Sequence, residues 1–395
     1  MIGRLVSAAL LFVAALGFCE LSLQVAARFS PFIRYQLSPP LLRNAVPDPE
    51  FGFRLSPYTP GHDQYGYRND AAAGAARGGV VAIGDSLTYG LGAFPDGAWP
   101  QQLARISGRP VYNAGVGGYG PCEYSLIASR VFALQPTQIV VGLYMGNDIG
   151  NAYASVYLLR RCREQARSDP KLLAALSAAE QRGALSQLAA EYGDTVPEPP
   201  GALDKVAVYA LLRSVHYAVT TRNQLPNREG RADTYTEAST LPFRLPMPTP
   251  PQYRTVFRDP RLDLLAVDTS DARMAEGLRL TIELIQKIAA TATARGATTL
   301  VVILHSKPFA LASVIAQQPP DFQKRFAQLL YWEATDSALV TQALSARGIR
   351  WVETKDAMQG AVAGGMMPFH PSDDTHPTSD GYRIIAQTVA KAMSP

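Results

Sequence analysis

The chain of 395 residues is predicted to be an α/β protein built on a parallel sheet. Residues 79–83, 139–145 and 298–304 are runs of strand length rich in apolar and β-branched residues, as expected of buried strands. The first runs directly into Gly84-Asp85-Ser86-Leu87-Thr88-Tyr89 and the second into Gly146-Asn147-Asp148. Before the third, Met274, Leu278, Ile282, Ile285, Ala289 and Ala292 recur at helical spacing and mark a crossover. In open α/β sheets the chemistry sits at the carboxyl ends of such strands.

The elements follow in order. Arg4 precedes an apolar stretch, Leu5 to Cys19, that stays largely apolar through Ala27, within residues 1–30. About fifteen apolar residues are short for a spanning helix and typical of a signal segment. An uncleaved signal anchor is favoured over a cleaved signal peptide, although Val25-Ala26-Ala27 is a candidate cleavage site. Residues 31–78 are dense in Pro, Gly and aromatics, and the patterns Phe51-Gly52-Phe53-Arg54 and Tyr65-Gly66-Tyr67-Arg68 predict short strands or an extended strap rather than a flexible linker. Paired structural roles are expected for Arg54 and Arg68. Residues 79–395 form the main domain, interrupted by an insertion at about 150–272 where one crossover would need only a few dozen residues. Within the insertion, 171–192 and 205–217 read as helices, and 224–260 shows little periodicity. A lid over the strand ends and a solvated excursion are both open readings of it.

Ser86 stands at the first strand end and is a candidate nucleophile, which requires a base, an orienting group and donors for an oxyanion. The chain has five histidines, and only His376 has a carboxylate three residues before it, in Asp373-Asp374-Thr375-His376. Of the two adjacent carboxylates, Asp373 is expected to fold back onto the imidazole and fix its tautomer. Thr378-Ser379-Asp380 then caps a closing helix with apolar residues at Ile384, Ile385, Val389 and Met393. Val111 to Gly120 reads as a short strand entering a glycine-rich turn, where Gly118 is a candidate backbone donor. Asn147, after the 139–145 strand, is a candidate side-chain donor. His305, at the end of the 298–304 strand, is expected to be structural rather than a second base.

Gly84-Asp85-Ser86-Leu87, Gly118, Gly146-Asn147-Asp148 and Asp373-x-x-His376, in that order, resemble the four blocks of the SGNH, or GDSL-type, hydrolase superfamily. The resemblance implies a flavodoxin-like three-layer α/β/α fold and an esterase or acyl-transfer chemistry. It implies Ser86 as nucleophile and backbone donor, Gly118 and Asn147 completing the oxyanion hole, and His376 with Asp373 as base and orienter. Two competing motifs fit less well. Gly115-x-Gly117-x-x-Gly120 matches a dinucleotide fingerprint, but its strand is the second of the sheet and the expected acidic position falls in the apolar run at 139–141. The nucleophile elbow of the α/β-hydrolases needs glycine where this chain has Thr88.

The reading is therefore an exported, membrane-tethered serine esterase acting on carboxylic, short-chain acyl or acetyl esters, small molecules or glycans, in the periplasm or outside the cell. Two alternatives keep the same residues: an O-acyltransferase acting on an envelope polysaccharide, and a catalytically idle binding scaffold. Neither a cofactor nor a metal is expected. A net charge of +4 with scattered basic residues carries no nucleic-acid signature. Of three cysteines, Cys122 and Cys162 follow strands whose carboxyl ends face the same side. A disulfide between them and two free buried thiols are both compatible with the sequence.

Overall fold

Five parallel strands form the central sheet of the computed structural model, which describes residues 2–30, 33, 45–55, 62–69, 76–181, 206–212, 244–247 and 250–393. They are β1 Val80–Gly84, β2 Val111–Gly115, β3 Gln138–Tyr144, β4 Thr298–Leu304 and β5 Arg350–Glu353. Their spatial order is 2-1-3-4-5. This is the flavodoxin-like order, and its switch point lies between β1 and β3, where the chain has wound first one way and then the other. The four strands expected from sequence, β1 to β4, are present. The edge strand β5 was not among them, because it is short, partly exposed and carries no continuous apolar run.

Helices cover both faces. On one side α1 Trp99–Ser107, α6 Lys355–Ala363 and α7 Ser379–Met393 pack together. On the other lie α2 Pro121–Val131, α3 Asp148–Tyr153, α4 Ala272–Ala294 and α5 Pro320–Ala346. Side chains alternate across each strand, so Val80, Ala82, Val140, Leu300 and Val302 meet Trp99, Leu103, Met358, Tyr382, Ile385 and Val389 in one buried cluster. Helix α4 is the crossover predicted from its apolar spacing, with Asp271 capping its first turn through the Arg273 amide.

The chain divides into two compact units, one of 1–71 with 194–225 and one of 72–193 with 226–395. In the first, an apolar helix spans Ile2–Phe29. Its stretch Leu10–Phe29 has a mean hydropathy of 1.9 and is long and apolar enough to cross a membrane. Near its middle Glu20 accepts hydrogen bonds from the amides of Ala207 and Val208, at the start of the helical residues 207–212. Also in this unit, Ala45–Asp48 and Gly52–Leu55 form an antiparallel hairpin with Phe51 and Phe53 buried. Asp63 gathers the Tyr65 and Tyr67 amides into a turn. The strap is thus strand at its first aromatic motif and turn at its second. Arg54 approaches Asp48 at 3.9 Å and Arg68 is buried.

In the second unit the insertion contains helix Pro170–Gln181 and an antiparallel hairpin, Arg244–Met247 with Thr255–Arg258. The hairpin falls in the stretch read as aperiodic, since four-residue strands that include Pro246 leave no periodic signal. The rest of the helices expected at 171–192 and 205–217, and residues 213–243, lie outside the described residues. Cys122 and Cys162 form a disulfide with Cα atoms 6.0 Å apart, which resolves the two readings of these cysteines.

Candidate active site

Strand β1 ends at Gly84, and Ser86 opens a helical turn, Ser86–Tyr89. The buried Asp85 carboxylate caps this turn by accepting the Leu87 amide at 2.9 Å. Asp85, Leu87 and Thr88 are buried, whereas Ser86 is partly exposed. The turn rests directly on β2, because a Cβ on Gly115 would stand 2.3 Å from the Tyr89 nitrogen. Gly115 therefore serves close packing under the serine, and the dinucleotide reading of the glycine run has no support from it.

His376 reaches this turn from the loop before α7. Its Nε2 lies 2.8 Å from Ser86 Oγ. Its Nδ1 lies 2.7 Å from Asp374 Oδ1, which also accepts the His376 amide at 3.0 Å. A carboxylate can only accept, so Nδ1 carries the ring proton and the Nε2 lone pair faces the serine hydroxyl. Burial opposes the charge of Asp374, yet hydrogen bonding and charge from His376, with the His376 amide, hold it well below the usual carboxylate range.

The expectation for Asp373 is corrected here. Its Oδ2 pairs with Arg244 Nε at 2.7 Å, and the adjacent Asp374 occupies the place on the imidazole. Arg244 belongs to the insertion hairpin, and Thr255 of the same hairpin donates to the His370 carbonyl at 3.1 Å. Sequence spacing offered both carboxylates, and the partner that draws Asp373 away lies 129 residues distant. Gly92 closes the opposite side of the loop with its carbonyl 2.8 Å from His370 Nε2.

The two expected oxyanion donors sit in the turns after the flanking strands. Since β1 lies between β2 and β3, the turns holding Gly118 and Asn147 follow the two strands adjacent to that of Ser86. Gly118 has φ +82°, a left-handed conformation that glycine adopts without strain. Gly117 lies so near the nucleophile turn that an added Cβ would be 3.6 Å from Ser86 Cβ. Asn147 opens α3, and its neighbour Asp148 fixes the turn by accepting the Tyr144 amide and the Tyr124 hydroxyl, each at 2.8 Å. Burial raises Asp148 well above the usual carboxylate range, and the charge of Asp85 adds to it; burial likewise raises Asp85 to about 6.

The disulfide and a buried ion pair join the segments that follow these turns. Cys122 and Glu123 stand at the start of α2, just after the Gly118 turn. Glu123 binds Arg161 at 2.9 Å and Ser155 Oγ at 3.0 Å, close to Cys162. Sequence reading missed this pair.

His305 is engaged elsewhere, with Nδ1 3.1 Å from Glu333 and Nε2 3.6 Å from Glu353. It stacks on Phe309 with ring centroids 4.5 Å apart. Burial opposes its charge, but the two glutamates raise its proton affinity. This matches the structural role expected of it.

Residues 82–238 match the GDSL-like Lipase/Acylhydrolase family. The region holding Ser86 is a GDSL-like lipase/acylhydrolase domain. The family comprises ester-hydrolysing enzymes, and the parallel sheet with helices on both faces agrees with it. No curated protein matches the chain. Among solved structures, the GDSL-like domain and its surroundings resemble a lipolytic protein of the G-D-S-L family from Desulfitobacterium hafniense DCB-2. That protein has 11% identity over 80% of this chain and 98% of its own, with a TM-score of 0.35. A GDSL-like lipase from Bacteroides thetaiotaomicron VPI-5482 has 12% identity over 79% and 86%, with a TM-score of 0.34. A variant of an acetylxylan esterase from Geobacillus stearothermophilus has 10% identity over 81% and 96%, with a TM-score of 0.35.

Proposed function

We propose that the protein is a serine esterase in which Ser86, His376 and Asp374 act as nucleophile, base and orienter. The observation that carries this reading is the continuous chain from Ser86 Oγ through Nε2 and Nδ1 of one imidazole to Asp374 Oδ1, at 2.8 and 2.7 Å. Ser86 Oγ attacks the ester carbonyl while His376 Nε2 takes its proton. The Asp374 carboxylate stabilises the imidazolium that forms. Negative charge on the carbonyl oxygen is received by the Ser86 and Gly118 amides and the Asn147 side-chain amide. Collapse of this intermediate releases the alcohol, protonated by His376, and leaves an acyl-Ser86. Water activated by the same histidine then attacks the acyl-enzyme and frees the acid.

Short acyl groups, acetyl among them, are the class this reading assigns to the site. The apolar helix at Leu10–Phe29 supports a tether that holds the domain at a membrane on its exported side.

Ser86→Ala should abolish hydrolysis of 4-nitrophenyl acetate and labelling by a fluorophosphonate probe, with an unchanged thermal midpoint. Retained hydrolysis above about 1% would remove Ser86 from the mechanism. A series of aryl esters from acetate to decanoate should show turnover falling with chain length.

A further inference from the structure

The loop bearing Asp374 and His376 has no regular structure, so its shape is imposed by its neighbours. Much of it converges on one side chain. Lys307 opens a helical turn, Lys307–Ala310, just beyond β4, and is 1% exposed. Its Nζ donates to the carbonyls of Ser372 at 2.6 Å, His370 at 3.0 Å and Asp374 at 3.2 Å. It also reaches the Val256 carbonyl of the insertion hairpin at 3.2 Å. The Phe257 ring lies 5.7 Å from the same nitrogen.

Three alternate carbonyls of one loop therefore point to a single ammonium. Hydrogen bonds to a charged group are stronger than those between neutral groups, and an ammonium is costly to bury without them. A loop curled in this way has little freedom to shift by one residue. Such a shift is what would exchange Asp373 for Asp374 at the imidazole. These hydrogen bonds all go to backbone carbonyls, so their effect on the catalytic pair runs through the loop.

We propose that Lys307 is a positioning residue for the catalytic pair. It holds the 370–374 backbone in the register that presents Asp374 to His376, and through Val256 it ties that register to the insertion hairpin. This inference rests on the Ser86–His376–Asp374 reading above.

The test uses the full chain with Lys307→Met, which keeps the length of the side chain and removes its donors, and Lys307→Gln, which keeps two N–H donors. Turnover is normalised to sites titrated with a fluorophosphonate, and the low-field proton resonance of His376 Nδ1–H is recorded beside it. In Lys307→Met, kcat per titrated site should fall ~10²-fold, the scale expected of a misplaced catalytic group. KM should stay within about threefold of the parent value, and the low-field resonance should disappear. Lys307→Gln should recover about tenfold of the lost kcat. A purely structural role would lower the thermal midpoint and the titratable fraction while leaving kcat per site and the resonance intact, and that result overturns the proposal. Should Lys307→Met fail to fold, unchanged kcat per site in Lys307→Gln overturns it equally. Activity surviving in Ser86→Ala would instead point to failure of the triad reading, because Lys307 has no part in that experiment.

Discussion

Asp374 Oδ1 accepts from both the ring and the backbone amide of His376, at 2.7 and 3.0 Å, whereas Asp373 turns to Arg244 at 2.7 Å. Two adjacent carboxylates thus hold a loop between a histidine and an arginine. Asp374→Asn should lower kcat ~10³–10⁴-fold, because an amide at Oδ1 no longer fixes the reactive tautomer. Asp373→Asn should leave kcat within about threefold and cost ~1 kcal/mol of stability, the scale of a partly exposed ion pair. Steady-state kinetics of the two variants side by side would decide the assignment, and a lethal Asp373→Asn with a mild Asp374→Asn would reverse it.

Gly92 is pressed against the catalytic loop. Its φ is +87°, and a Cβ there would stand 3.1 Å from His376 Cβ and 3.3 Å from His370 Nε2. Gly92→Ala should cost about 1–2 kcal/mol from the left-handed backbone alone. It should also reduce kcat ~10²-fold by displacing the base. Thermal melting and kinetics on a short aryl ester read the two effects separately, and normal kcat in a destabilised variant would limit Gly92 to a backbone role.

The disulfide braces the segments that follow the two proposed oxyanion turns. Its ends are 40 residues apart, for which loop closure gives about 4 kcal/mol of stabilisation. A Cys122→Ser, Cys162→Ser double variant should melt well below the parent. In the denatured parent, alkylation should add one group without reductant, at Cys19, and three groups after reduction. Three groups without reductant would mean that the bridge does not form.

Asp336 gives a pH-dependent stability. It is buried in α5, accepts from Thr269 Oγ1 at 2.7 Å, and burial raises it to about 7. Its unfolded pKa is about 3.9, so the folded state holds this proton more tightly. Below about pH 4 the group is neutral in both states and costs nothing. As pH rises from about 4 to 7 the unfolded chain releases the proton first, and stability falls. Asp336→Asn should therefore match the parent at pH 4 and exceed it by on the order of 2 kcal/mol at pH 8. Urea melts at both pH values test this, and an equal gain at the two would locate the effect in packing rather than ionisation.

The legible parts of the chain were those whose signal is local. β1 and β3 are buried on both faces, as is β4 from Leu300 onward, and they therefore appear as largely apolar runs, and helix α4 repeats its apolar positions for many turns. Ser86 and His376 each sit within a short segment whose chemistry is readable in place. The choice between Asp373 and Asp374 was not, because both have workable spacing and the selection is made by Arg244, far away in sequence. The hairpin at 244–258 and the edge strand β5 escaped for a related reason. Their strands are only four residues long, and contacts with distant segments supply what their own sequence lacks.

The Glu20 contact sets an order of events during synthesis. Its amide partners lie 187 and 188 residues downstream. At about 5–20 residues per second, the ribosome delivers the amino-terminal helix tens of seconds before residues 207 and 208 exist. Among the described residues made by then, the Gln24 side chain of the same helix donates to this carboxylate. Whatever first receives the nascent helix must accommodate its glutamate without the capping amides that later cover it.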